Sequence, residues 1–287
     1  MAMEGLSIGS VNCRGLSSDP VRRRDIFDRC RKKYDITFLI DTHSEKKVEN
    51  AWKMEWGYEG WFNSYSSNSR GVAILFKNTF SFTYLSKKMD LNGNMLILTI
   101  KLNSCDKVLT LVAMYGPNQT DVAFYQYMLR QLDLGENTSI IIGGDWNVPM
   151  DYTIDTRNYK NRNNETNQSH IKILIESFDL IDIWRDQHTE EKKFTWHGPN
   201  LKQARLDYFL ISSDLVNYVK NCEIGISYRS DHSPVSLLIN FVDQPRGRGT
   251  WKFNNSLLSD PEYINIVKEC IADINTQYVA NPDVCGP

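Results

Sequence analysis

Apolar runs with abrupt polar exits dominate the first 241 positions of the chain. Residues 6–11, 36–40, 71–76, 95–102, 108–114, 205–211 and 235–241 read as strands, with Phe194-Thr195-Trp196 as a shorter one. The most informative run is Ile140-Ile141-Ile142-Gly143-Gly144-Asp145-Trp146-Asn147, in which three β-branched residues give way to two glycines, a carboxylate and a carboxamide. This pattern predicts a strand covered on both faces that delivers polar side chains at its tip. Pro20 opens a helix to about residue 33, with Ile26, Phe27 and Cys30 on one face and Arg22, Arg23, Arg24, Arg29 and Arg31 as a solvated basic surface. Further helices are expected at 123–134, closed by Gly135, and at 170–178. The aromatic-rich stretch 52–62 reads as loop plus short strand. Residues 151–168, which include Arg157, Lys160 and Arg162, read as a surface loop, and Asn103 to Asp106 as a hairpin connection. After Phe241 the composition shifts to Gln244-Pro245-Arg246-Gly247-Arg248-Gly249, a linker signature, followed by one amphipathic helix at about 261–274. The organisation expected is an α/β domain over 1–241 and an appended segment over 242–287.

Composition changes this picture little. At 287 residues, with 41% hydrophobic and 24% charged positions, the chain can bury a substantial core. A net charge of -2 announces no polyanionic partner, although clustered carboxylates would mask basic surface elsewhere. Six cysteines without a C-x-x-C pair favour reduced thiols and an intracellular setting. No apolar run approaches the roughly 20 residues of a membrane span, so neither secretion nor membrane association is expected.

Candidate chemistry collects at the strand exits: Asn12, Asp41, Tyr115, Asp145 with Asn147, Asp207, and Asp231 with His232. If extended geometry persists through Trp146, Asp145 and Asn147 face one side and share one reacting oxygen. Taken alone, they serve a plain strand-to-loop turn equally well. Tyr115 is a phosphate donor or a packing side chain.

In this order the exits, with YGP, GDWN and SDHSPV, resemble the exonuclease-endonuclease-phosphatase family. Within it they are most similar to the apurinic-like endonucleases of LINE-class non-LTR retrotransposon polyproteins. The resemblance spans residues 6–241, and the later WKFNNSLL stretch is similar to the connector leading to a reverse transcriptase, which would be a partner in the same polyprotein. It implies a four-layer α/β sandwich, two packed mixed sheets flanked by helices, and a metal-dependent endonuclease. That enzyme would nick double-stranded DNA in the nucleus, after synthesis in the cytoplasm, and leave a 3′-hydroxyl to prime reverse transcription. Other activities of the same fold are abasic-site repair and small phosphoester hydrolysis, and a decayed DNA-docking module is the non-enzymatic alternative.

Carried over by position, the resemblance implies that Asp145 orients or deprotonates water and that Asn147 holds the same group. Asp41 ligates Mg²⁺, with Mn²⁺ as the alternative ion, and Asn12 and Asp231 complete the shell. His232 donates to the phosphate with Asp207 on its other nitrogen, Tyr115 and Thr195 bond phosphate oxygens, and Ser230 supports the Asp231-His232 pair beside the phosphate. The 195–207 hairpin, through Trp196, Lys202 and Arg205, would lean into DNA or serve as an ordinary connection. Two positions depart from the pattern. Asp41 stands where glutamate is usual, and Arg14 stands where some relatives carry a second carboxylate, so Arg14 would contact a phosphate or form a surface ion pair.

Overall fold

The computed structural model describes residues 5–132, 138–159, 164–241 and 261–280. In chain order its strands are β1 (Leu6–Asn12), β2 (Ile36–Ile40), β3 (Gly60–Asn63), β4 (Val72–Phe76), β5 (Phe82–Met89), β6 (Met95–Leu102), β7 (Val108–Tyr115) and β8 (Thr138–Asp145). They continue with β9 (Thr156–Arg157), β10 (Leu180–Asp182), β11 (Trp196–His197), β12 (Gln203–Ala204), β13 (Asp207–Ser212), β14 (Val219–Ile224) and β15 (Val235–Ile239). The helices are α1 (Pro20–Lys33), α2 (Glu49–Trp56), α3 (Val122–Gln131), α4 (Asn164–Ser177), α5 (Ile183–Gln187) and α6 (Pro261–Ala280). Contacts divide the chain into Met1–Val242, which holds the sheets, and Asp243–Pro287, which holds α6. The helix stop expected at Gly135, the loop cations Lys160 and Arg162, and the linker and WKFNNSLL stretch lie outside the described residues.

Two six-stranded sheets form the body, in the orders β14-β15-β1-β2-β4-β3 and β10-β13-β8-β7-β6-β5. Each is mixed: β1 and β2 run parallel in the first and β7 and β8 in the second, while their other neighbours are antiparallel. Alternation along the strands explains the layering. Ile141 of β8 joins Phe38, Ile74, Leu98, Leu111 and Phe209 in the core between the sheets, whereas Ile140 and Ile142 pack outward with Tyr125 and Met128 of α3 and Ile171 and Leu174 of α4. On the far side Ile26, Phe27 and Cys30 of α1 meet Trp52 and Trp56 of α2 over Leu39, Ala73 and Leu75. Helix, sheet, sheet and helix make the four layers of the α/β sandwich.

Local chemistry fixes the boundaries that the sequence predicts well. In α1 the Asp19 side chain accepts from the Arg22 amide at 2.9 Å, Pro20 starts the helix, and Arg31, Lys32 and Lys33 face the negative end of its dipole. At the end of β8 a Cβ on Gly144 would lie 1.9 Å from the Met114 carbonyl, so only glycine lets the strand pass its neighbour there. Three expectations change. The aromatic stretch contains α2, stopped by left-handed Gly57, α4 begins six positions before the predicted 170, and β5 and β14 occupy segments not expected to be strands.

Candidate active site

Parallel pairing at the centre of each sheet sends the ends of β1, β2, β7 and β8 to one edge, and antiparallel β13 and β15 begin there. Register places Asp145 directly between Tyr115 on β7 and Asp207 on β13, while Asn12 and Asp41 close the neighbouring ends in the other sheet. A cleft of about 330 Å³ opens here, lined by Asn12, Arg14, Asp41, Tyr115, Asp145, Asn147, Trp196, Asp231 and His232. Asn118, Tyr159 and Leu206 complete its wall.

Hydrogen bonds join the two sheets at this edge. Asn12 donates its Nδ2 to Asp145 Oδ2 at 2.9 Å, and Asp207 Oδ2 lies 2.7 Å from His232 Nδ1. The other ring nitrogen of His232, Nε2, is 3.8 Å from Asp145 Oδ2, too far for a hydrogen bond and aimed into the same small volume. Burial pushes the imidazole toward its neutral form, but the charges of Asp207 and Asp145 outweigh it and lift the pKa to about 10. His232 is therefore an imidazolium at neutral pH, with Nε2–H as donor. Asp145 is raised in turn by its burial and by the Asp207 charge, partly offset by His232. Asp41 is raised by burial against the opposing pull of His43. The Tyr115 phenol, raised by burial and by the charges of Asp145 and Asp41, keeps its proton and remains a donor.

Asn147 reaches the cleft by a different route from the extended one expected. Its φ of 55° is left-handed, so β8 ends at Asp145. Buried Trp146 turns away to stack on Tyr208 at 5.1 Å, and Asn147 donates its amide to Asp145 Oδ1 and its carboxamide to the Gly116 carbonyl. Asp41 (φ 54°) and Arg14 (φ 47°) share this uncommon conformation, as does His43 (φ 51°). Such a concentration of backbone strain at one edge marks a site held in a required geometry.

Two assignments are corrected by burial. Arg205 is fully buried and bonded to Asp155 and Asp182, so it cannot contact DNA. Thr195, also fully buried, accepts the amides of Leu206 and Asp207 at 2.9 Å each, which anchors Asp207 rather than a phosphate. Ser230 donates to the Asn12 carbonyl at 2.9 Å and accepts the His232 amide at 3.2 Å, so it supports the Asp231-His232 pair from behind, as expected, with its hydroxyl spent on these two partners and not on a phosphate. Arg14 pairs with Asp231 at 3.3 Å on a largely exposed side chain. Trp196 lines the cleft, edge-on to Tyr159 at 5.8 Å, and Lys202 is exposed in the turn between β11 and β12. Asn118 could have been found from its place in the Tyr115-Gly116-Pro117-Asn118 exit, whereas Tyr159 carries no signal within its polar loop.

The donor set suits a hard divalent cation. Among the described residues Asp231 Oδ1 has no hydrogen-bond partner and is sealed from solvent, a costly state for a carboxylate oxygen unless a cation satisfies it. Asp41 spends Oδ1 on His43 Nε2 and the Arg70 amide, and lines the same cleft. Asn12 Oδ1 accepts only the Arg14 amide. Oxygen ligands of this kind match Mg²⁺ or Mn²⁺. Ligand atoms of Asp145, Asp207 and His232 also lie within 4.8 Å of one another, but Asp207 and His232 are bonded to each other.

Residues 9–232 match the Endonuclease/Exonuclease/phosphatase family, a span that starts just before Asn12 and ends on His232. The chain is 29% identical over 92% of its length to the Transposon TX1 uncharacterized 149 kDa protein of Xenopus laevis, of which it spans a fifth (20%). In fold it is similar to the AP endonuclease LMAP of Leishmania major, with a TM-score of 0.67 at 17% identity over 83% of this chain and 88% of that one. The Xenopus laevis APE2 catalytic domain gives 0.65 at 19% identity over 82% and 92%. Two mixed sheets whose polar ends meet in one cleft, matched over nearly the whole sheet-bearing unit, establish that the chain belongs to the Endonuclease/Exonuclease/phosphatase family.

Proposed function

We propose that this chain is a divalent-metal-dependent DNA endonuclease that nicks a target duplex and leaves a 3′-hydroxyl from which a reverse transcriptase of the same polyprotein primes. The observation that carries the reading is the Asp207–His232 pair facing Asp145 across 3.8 Å, with Asn12 bonded to Asp145 from the other sheet. The likeness to a transposon protein far longer than this chain supports a setting in a mobile element's polyprotein, and nuclear action on chromosomal DNA is part of the proposal.

In this reading the ionised form of Asp145, made a stronger base by its raised pKa, accepts the proton of a water whose oxygen attacks phosphorus. The bond from phosphorus to O3′ breaks, giving a 5′-phosphate and a 3′-hydroxyl that takes its proton from solvent. The His232 imidazolium and the Tyr115 phenol donate to the non-bridging oxygens as charge accumulates there, and Asn147 and Asn12 hold Asp145 in place. Asp41, Asp231 and Asn12 would hold a divalent cation, which when bound supplies neutralisation of phosphate charge. Trp196, which lines the cleft, and Lys202, on the exposed β11–β12 turn, would contact a duplex entering it, and Arg14 can exchange its Asp231 partner for a phosphate.

A supercoiled-plasmid assay with Mg²⁺, with Mn²⁺ and with chelator tests this, with the cut ends mapped. Metal-dependent open circles bearing 3′-hydroxyls are expected. Cleavage confined to an abasic oligonucleotide, or hydrolysis of inositol phosphate alone, would replace this reading by another activity of the same fold.

A further inference from the structure

The basic face of α1 is not uniformly solvated: Arg23 and Arg31 reach α2, and Arg22 reaches the cleft loops. Arg22, in the first turn, sends its guanidinium across two loops that lie more than two hundred residues apart in sequence. Nε donates to the Arg229 carbonyl at 2.8 Å, Nη1 to the carbonyls of Gly15 and, at 3.5 Å, Arg14, and Nη2 to the carbonyl of Cys13. The first loop follows Asn12 directly, and the second leads into Ser230, Asp231 and His232. Two of the residues whose carbonyls it gathers, Arg14 (φ 47°) and Arg229 (φ 53°), hold left-handed backbones. Free of constraint, such residues would relax toward commoner conformations and turn their carbonyls elsewhere.

We propose that Arg22 is a positioning residue, a guanidinium pin that locks the segment carrying Asn12 to the segment carrying Asp231 and His232. The pin works with two direct links between the same segments, Ser230 Oγ to the Asn12 carbonyl and Arg14 to Asp231. Its consequence is felt at the reacting atoms. Asn12 grips Asp145, His232 faces Asp145, and the distance between those two partners is set by how the loops sit against each other. Arg24, two positions on, pairs with Glu55 at 3.5 Å and is largely exposed, so charge on this helix does not by itself produce the pin. Only a planar fork with several fixed N–H directions reaches all four carbonyls at once, and an ammonium group cannot.

The inference rests on the nuclease reading for its kinetic arm and stands apart from it in a second, spectroscopic arm. In plasmid nicking, Arg22→Ala and Arg22→Lys should each lower kcat by up to about 10²-fold, the scale on which small misplacements act. KM should stay within about threefold, since the substrate contacts remain. Arg24→Ala should nick as wild type. Ethylguanidinium should restore part of the kcat of Arg22→Ala, which a loss of global stability would not allow. In the metal-free protein, the NMR signals of the Asn12 carboxamide and the His232 ring should shift or broaden in Arg22→Ala. Wild-type kcat in both variants, or a kcat loss that ethylguanidinium leaves untouched, overturns the pin. If the wild-type protein nicks no plasmid, the nuclease reading fails by itself, and unchanged Asn12 and His232 signals in Arg22→Ala then overturn the pin independently.

Discussion

Two buried charged clusters stand one residue apart in the sequence, around Arg205 and around Asp207, and they are built on opposite plans. Arg205 donates Nε and Nη2 to Asp155 at 2.8 and 2.9 Å and Nη1 and Nη2 to Asp182 at 3.1 and 2.6 Å, while Arg185 reaches Asp155 at 2.5 Å. Two guanidinium groups meet two carboxylates, and the cluster closes on itself. Around Asp207 the carboxyl groups of Asp41, Asp145, Asp207 and Asp231 face the His232 imidazolium, the His43 ring and the largely exposed Arg14 guanidinium, and one oxygen of Asp231 has no hydrogen-bond partner among the described residues. Residues of the same kind thus serve different ends. A matched set braces β9, β10 and β12, and an unmatched set is arranged for something that comes from outside.

The comparison breaks most visibly in activity. His232→Ala should cut nicking by about 10² to 10⁴-fold, as loss of an oriented donor does, while the melting curve stays close to wild type. Near-native nicking by the purified variant would remove His232 from the mechanism. In the other cluster the effect moves to stability. Arg205→Met leaves Asp182 without its guanidinium and Asp155 with Arg185 alone, and should cost about 3 to 5 kcal/mol in urea unfolding, with whatever folded protein remains still competent. A loss within about 0.5 kcal/mol would mean that the network is not holding the hairpin. Smaller again is Lys202→Ala on the exposed turn. It should raise KM, leave kcat alone, and lower the salt slope of DNA binding by about one, and an unchanged slope would make the β11–β12 turn only a connector.

Much of this contrast could be read from the chain, and the parts that could not have physical causes. Continuous apolar runs gave β2 and β6 end to end, and Pro20 with the apolar face of Ile26, Phe27 and Cys30 gave α1. The six polar exits named from the sequence do meet in the cleft, because residues at strand ends converge once the strands pair in register. Strand β5 was illegible: its residues are nearly all exposed, so no alternation survives to betray it. Helix α2 was hidden because its buried face is made of Trp52 and Trp56, which read as strand or loop aromatics. Arg205 was taken for a DNA contact because its partners, Asp155 and Asp182, lie 50 and 23 positions away. Pairing at that range is a property of the fold.

Whether the Asp207 cluster is held open at a cost to the free protein is tested most directly by Asp145→Asn in chelator, unfolded by urea from about pH 4 to pH 9, with nicking measured alongside. Asp145 has its folded pKa raised to about 8, above the ordinary 3.8, so the fold keeps a proton that the unfolded chain releases. Its contribution to stability is complete below about 3.8 and is lost as pH rises through about 8. Asparagine has no proton to lose. The variant should therefore gain stability over wild type steadily between those limits while nicking falls by about 10² to 10⁴-fold. A variant that is less stable than wild type by a margin independent of pH, or that nicks at the wild-type rate, would contradict the account.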